Sequence, residues 1–348
     1  MLENSERTEL SSLGEFGLIK HLTQFIEIKN ESTIKGVGDD AAVIDYKGNQ
    51  TVISTDMLVE GIHFDMAYVP LKHLGYKAVS VNLSDIYAMN ATPKQITVSI
   101  AMSNRYSVEA IEELYAGMFL ACEKHKVDIV GGDTTTNVSG LVISITAIGE
   151  AKSEDLVYRS GASEGDLLCV SGDLGGAYVG LQLLEREKKI FIESPGVQPD
   201  FDGNDYILER QLKPEARKDI PPLLKQLEVK PTSMIDISDG LASEIIHLST
   251  QSKVGCNLYE DKIPIDPQTY TMAREFNLDP TVCALSGGED YELLFTIKQE
   301  DFLKIKANPN ISIIGHMTDA KSGINLITKG GTSTPLKAQG WDALLKNE

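Results

Sequence analysis

"VGGDTTT", Val130 to Thr136, sets the terms on which the chain is read. Two glycines and three threonines have the look of a loop that cradles phosphate. Glycine lets a backbone come close to a ligand, and hydroxyls donate to its oxygens. The central residue is Asp133, however, where a familiar phosphate loop carries a lysine. The flanks supply the setting. "SVEAIEELYAGMFLACEKH" (Ser107 to His125) opens on a serine cap and continues as an amphipathic helix. "QITVSIAM" (Gln95 to Met102) before it and "LVISITAIGE" (Leu141 to Glu150) after it read as strands. An acidic, glycine-rich loop set between a helix and strands belongs to an α/β arrangement.

The alternation extends both ways. "EFGLIKHLTQFI" (Glu15 to Ile26) predicts an early helix, and "TVIST" (Thr51 to Thr55) a strand with Asp56 just past its end. "LKHLGYKAVSVNLSDIYAMN" (Leu71 to Asn90) predicts one long helix, stopped by Pro93. The polar turn "RSGASEGD" (Arg159 to Asp166) opens a second unit. There "LLCVSG" predicts a strand, "LGGAYVGLQLLERE" a helix, and "SMIDIS" a strand followed by a helix from Asp239. Pro214 stands near the start of another helix. "YELLFTI" (Tyr291 to Ile297) and "ISIIG" (Ile311 to Gly315) add strands, and Glu193 to Asp205 has the composition of a loop. The 348 residues suit two domains at roughly 150 residues each. We divide them at residues 1–152 and 153–348, both α/β or α+β.

The 51 acids outnumber the 32 bases, for a formal net charge of −19. Such a surface argues against nucleic acid or an anionic membrane as partner. No apolar run approaches the ~18 residues of a spanning helix, and the first residues are polar and acidic rather than a leader, so the expected location is cytoplasmic. Cys122, Cys169, Cys256 and Cys283 are far apart, which fits buried free thiols better than disulfides or zinc.

Five stretches share one pattern. "GVGDDAAV" (Gly36 to Val43), "ISTDML" (Ile53 to Leu58), "VNLSDI" (Val81 to Ile86), "VGGDTT" (Val130 to Thr135) and "IDISDGL" (Ile235 to Leu241) each set aspartate beside Gly, Ser or Thr. One such acid reads equally as a turn residue or helix cap, Asp239 included. Gathered together, carboxylates repel and raise one another's pKa, and a hard divalent cation is their natural counter-charge. No GxxxxGK[ST], no GxGxxG after a strand and no HRD…DFG pair occurs. Phosphate chemistry here has to rely on metals, backbone N–H groups and hydroxyls.

In order along the chain, "GEFGLI", "GVGDDAAV", "STDMLVEGIHF", "YKAVSVNLSDIYAMNATP", "VGGDTTT", "RSGASEGD", "IDISDGL", "LSGGEDYELLFT" and a final "GW" resemble the thiamine-monophosphate kinases. These belong to the ATP-binding superfamily of aminoimidazole ribonucleotide synthetase. The resemblance implies its two-domain fold, with an N-terminal domain that binds ATP and Mg²⁺ and pairs in a homodimer. A C-terminal α/β domain completes the active site. It implies phosphorylation of thiamine monophosphate to thiamine diphosphate by ATP, with several Mg²⁺ ions. The rivals are a relative that activates another substrate with ATP and a nucleotide sensor without turnover.

Carried over by motif, Asp40, Ser54, Thr55, Asp56, Asp85, Asp133, Asp236 and Asp239 resemble metal ligands, with Asp39 the fallback for Asp40 and Asp85 bridging several metals. Arg159 resembles a direct partner of ATP phosphate and, with Asp85, the catalytic core. Tyr115, Gly132 and Ser238 fall near the nucleotide. For the thiamine substrate the resemblance offers His63, Glu289 and Trp341. Each has a plainer reading: a core or surface histidine, a turn residue, and a tail anchor.

Overall fold

The computed structural model of the chain describes residues 21–35 and 43–338. Asp40, Trp341 and most of the predicted early helix lie outside them. The chain divides into two compact units, Met1–Ile86 with Ala91–Asp155, and Tyr87–Asn90 with Leu156–Glu348.

In the first unit, β1 (Thr33–Lys35) pairs antiparallel with β2 (Val43–Ile44). β3 (Gln50–Val59), β4 (Thr92–Met102), β5 (Asp128–Thr136) and β6 (Leu141–Ala151) form one sheet in the order β3-β6-β4-β5. Only β4 and β5 run parallel. Along β6 the side chains alternate. Leu141, Ile143, Ile145 and Ala147 are buried, while Val142, Ser144, Thr146 and Ile148 are half-buried.

The buried face lies under α1 (Leu71–Ala88) and α2 (Val108–His125). Ser107 caps α2 as its sequence predicts, accepting from the Ala110 N–H, and Lys126 ends it at φ 57. The two helices touch backbone to backbone. A Cβ on Gly75 would sit 1.9 Å from the Leu114 carbonyl oxygen, and one on Gly117 1.8 Å from that of Lys72. Among the described residues no helix lies on the opposite face of the sheet, where Ile53 is 65% and Met57 55% exposed.

The second unit is built on a mixed sheet of seven strands. In chain order these are β7 (Leu167–Ser171), β8 (Ser233–Asp236), β9 (Gly255–Tyr259), β10 (Leu293–Ile297), β11 (Ile311–Thr318), β12 (Ile324–Ile327) and β13 (Ser333–Pro335). Their spatial order is β13-β12-β9-β11-β7-β10-β8. Its helices include α3 (Gly176–Glu193), α4 (Asp205–Leu212), α5 (Ile220–Gln226), α6 (Leu241–Ser252), α7 (Pro267–Glu275) and α8 (Pro280–Ser286). Both faces of the sheet are covered. Leu168 and Val170 pack with Leu241, Ile245 and Leu248 of α6 on one side, while Cys169 packs with Ile220 and Leu224 of α5 on the other. Every residue of β10 is therefore buried, and its sequence is apolar at every position but Thr296 rather than an alternation.

Four local expectations are corrected. "VGGDTTT" is no loop but the body of β5, because its backbone pairs in parallel with β4 from Thr97 to Met102. Asp56 lies inside β3, since the β3–β6 pairing continues to Val59. The helix after "SMIDIS" starts at Leu241 behind Gly240, so Asp239 is not its cap. Pro214 follows α4 and precedes α5, which begins only at Ile220. All four cysteines are free and buried, as their spacing predicts. Among the described residues no helix is long and apolar enough to cross a membrane.

Candidate active site

On the first unit's helix-covered face, α1 lies against the edge strand β3. Strand periodicity sends Ser54, Asp56 and Leu58 toward the helix, the direction of their partners Ala147, Ile145 and Ile143. Helix periodicity brings Asn82 and Asp85 of α1 to meet them. The Asp56 N–H donates to Asn82 Oδ1 at 2.9 Å, and Ser54 Oγ donates to Asp85 Oδ2. Burial, and then the charge of Asp85, push the Asp56 carboxyl up to about 6. The result is an oxygen-only set of two carboxylates and a hydroxyl, in which like charges face each other. Such a set fits a hard divalent cation.

The other predicted ligands of this unit are elsewhere. Thr55 points to the helix-free face, where Thr146 Oγ1 lies 3.1 Å from Thr55 Oγ1. Asp133, in register with Ser99 and through it with Ser144, is on that same face and exposed. Since β3 and β5 are the two edge strands, the sheet keeps Asp133 apart from Asp56 and Asp85 within one chain. Gly132 has its own packing reason to be glycine, because a Cβ there would sit 1.8 Å from the Val98 carbonyl oxygen. Tyr115 is 6% exposed on α2, its ring edge-on to Phe119. His63 turns back on β3. Its Nδ1 accepts the Val59 N–H at 3.0 Å, which puts the proton of the neutral ring on Nε2.

In the second unit two motifs become one structure. The residues after β8, Ile237 to Gly240, lie along residues 287–292, which lead into β10. Glu289 N–H donates to the Ser238 carbonyl at 2.7 Å, Tyr291 N–H to that of Ile237 at 2.8 Å, and Ile237 N–H to that of Glu292 at 2.8 Å. The approach needs Gly288, at φ 70, since a Cβ there would sit 2.6 Å from the Ser238 carbonyl oxygen. Asp236, Ser238, Asp239 and Glu289 are thereby brought together, Asp236 buried and Ser238 and Asp239 exposed. Glu244 of α6 braces the turn, its Oε1 accepting from the N–H groups of Ser238 at 3.1 Å and Asp239 at 2.9 Å. Burial, and with it the charge of Asp239, push the Glu244 carboxyl up to about 7 against these bonds.

The other acids of "GGEDYEL" are structural. Asp290 accepts from Gly175 N at 2.8 Å and Ala177 N at 3.4 Å, capping α3, whose own cap residue is a glycine. Glu292 is held by Arg210 at 2.8 Å and by Arg217, and accepts from Ser171 Oγ at 2.5 Å. Arg159 is exposed. Its neighbour Tyr158 accepts from Met234 N near the start of β8, at the opposite end of that strand from Asp236. Among the described residues no three His, Cys, Asp or Glu side chains are placed so that they could hold a metal ion by themselves. The predicted ligands form a pair in the first unit and a loop in the second.

Residues 38–151 match the family described as AIR synthase related protein, N-terminal domain. The chain is similar to the thiamine-monophosphate kinase of Buchnera aphidicola subsp. Schizaphis graminum, 37% identical over 90% of this chain and 94% of that one. The thiamine-monophosphate kinase of Aquifex aeolicus is 35% identical over 84% of this chain and 88% of its own length. The chain belongs to the thiamine-monophosphate kinase family. A solved structure of AaThiL complexed with AMPPCP and TMP is 31% identical, with a TM-score of 0.72 over 98% of this chain and 100% of that one. The α/β fold predicted for the chain is thus that of the thiamine-monophosphate kinases.

Sequence reasoning missed Asn82, Glu244 and Gln211, which hold candidate residues, and Arg210 and Arg217, which hold the structural acids beside them. Asn82 was legible three residues before Asp85 on a predicted helix, one turn away on the same face. The partners on α4 left no signal, because they are distant in sequence from what they hold.

Proposed function

We propose that this chain transfers the γ-phosphoryl group of ATP to thiamine monophosphate, giving thiamine diphosphate and ADP. The observation that carries the reading is the Asp56–Asp85 pair with Ser54, a metal-seeking oxygen set. It stands on a chain that aligns over most of its length with thiamine-monophosphate kinases. AMPPCP is an analogue of ATP, and TMP reads as thiamine monophosphate, so the related AaThiL complex supports both substrates.

Asp56, Asp85 and Ser54 would hold Mg²⁺, with Asp40, Thr55, Asp133, Asp236 and Asp239 as further ligands. Bound Mg²⁺ supplies charge screening between the two phosphates, the main barrier to reaction between anions. A phosphate oxygen of thiamine monophosphate forms the new bond to the γ-phosphorus, and the bond to the β–γ bridging oxygen breaks, releasing ADP. The attacking phosphate is already largely anionic at neutral pH, so no side chain has to remove a proton. Arg159 binds phosphate oxygens two at a time. Gly132, Ser238 and Tyr115 line the nucleotide. The Nε2–H of His63 donates to the monophosphate, Glu289 faces the cationic thiazolium, and Trp341 stacks on it.

Residues 1–152 are the ATP, metal and dimerisation domain, and residues 153–348 supply the remaining ligands. The homodimer forms on the helix-free face of the first unit's sheet, where Ile53 and Met57 are exposed. That face also carries Thr55 and Asp133, so their ligand role belongs to the dimer. The enzyme works in the cytoplasm. The test is ADP release with ATP and Mg²⁺, with and without thiamine monophosphate. Release only with the second substrate, and only with the metal, is expected; release without it, or none at all, would sink the reading.

A further inference from the structure

The stretch ahead of and including α4 belongs to none of the sequence motifs, yet two consecutive residues at its end reach the 287–292 segment. Arg210 takes the structural acids: its Nη1 donates to Glu292 Oε1 at 2.8 Å, and its Nη2 to the carbonyls of Asp173 at 2.9 Å and Asp290 at 3.2 Å. Gln211, 6% exposed, takes the other: its Nε2 donates to Glu289 Oε2 at 2.8 Å. The helix beneath them is fixed, since Ile207 is fully buried in a cluster with Val179 and Leu183 of α3 and with Met272 and Ala273 of α7. Glu289 itself has its backbone set in the left-handed region, at φ 58, by the N–H bond to Ser238. Main chain and carboxylate are thus held from two sides.

The two donors differ in kind. A guanidinium cancels the charge of a carboxylate it pairs with, whereas a neutral amide orients one without cancelling its charge. We propose that Gln211 is a positioning residue for substrate recognition. It aims the Glu289 carboxylate at the cationic ring of thiamine monophosphate. The inference rests on the proposed kinase function and on Glu289 as its substrate acid.

Gln211→Met keeps the length of the side chain and removes the donor. The KM for thiamine monophosphate is expected to rise about tenfold, the scale of one hydrogen bond to a charged group. The KM for ATP and the urea midpoint should stay near wild type. Gln211→Leu, a second neutral side chain without the donor, should give the same split, and serves if the methionine variant folds poorly. Glu289→Gln is the control, and the double variant should cost little more than Glu289→Gln alone. If Glu289→Gln raises that KM and neither Gln211 variant does, the inference fails alone. Equal rises in both KM values would overturn it as well, since they report a merely structural residue. An unchanged KM in Glu289→Gln overturns it together with the substrate role of Glu289. Absence of thiamine monophosphate-dependent ADP release by the wild type sinks the functional reading beneath it.

Discussion

The two units treat their carboxylates in opposite ways. In the first, the charge that bears on Asp56 is another carboxylate, Asp85, and the pair is half-buried. In the second, Asp290 and Glu292 are buried against guanidinium groups and helix N–H groups. Burial and charge neighbours decide what each acid is for. A buried acid matched with cations holds the fold, because removing it strands those cations. Acids set against each other repel until a cation arrives, so they are kept for what they bind. Glu289 lies between these cases, beside the structural acids but gripped by a neutral amide.

The contrast is open to tests of decreasing size. Glu292→Leu should cost about 3 kcal/mol or more of stability in urea unfolding, because it leaves Arg210 and Arg217 short of an anion. A loss below about 1 kcal/mol would contradict the structural role. Asp85→Asn should do the reverse. We expect turnover at saturating Mg²⁺ to fall by about 10²- to 10³-fold, on the order of 3 kcal/mol of transition-state stabilisation. Its urea midpoint should hold or rise, since the charge acting on Asp56 is gone; near-wild-type turnover ends the metal assignment.

The smallest effect is a pH dependence. The Asp56 carboxyl is raised to about 6 in the folded protein, from an ordinary value near 4. Between those values the folded state keeps a proton that the unfolded state has lost. Stability therefore falls as pH rises through this window, and stays lower above it. Solvent at the half-buried site trims the effect to about 1 kcal/mol. Metal-free wild type and Asp56→Asn, unfolded in urea from pH 4 to 7, should differ by that slope, and Mg²⁺ should remove the difference above pH 6. Parallel curves would show that burial and Asp85 do not raise the Asp56 carboxyl.

Much of this was legible in the sequence, and the failures have physical causes. The long helix at Leu71 and the capped helix after Ser107 follow from local periodicity and a local hydrogen bond, so they came out correctly. "VGGDTTT" was misread because glycine, aspartate and threonine have the composition of a loop. A parallel partner 30-odd residues upstream in sequence, β4, made it a strand. The same error moved Asp56 out of β3. "GGEDYEL" offered three acids with nothing local to rank them. Asp290 and Glu292 became structural only because α3, Arg210 and Arg217 arrive from elsewhere in the chain.

Composition, motif order and residue period were enough to determine an acidic α/β chain of the thiamine-monophosphate kinase family, and to name the acids worth attention. These properties are local or additive along the chain. Which acids meet was decided by tertiary structure alone. Ser54, Asp56 and Asp85 come together because strand and helix periods aim them at one edge, while the same sheet turns Thr55 and Asp133 to its other face. Glu289, unlike its neighbours, is reached by an amide on a helix that no motif marks. A carboxylate's role depends on the dielectric and the charges around it, and folding supplies both.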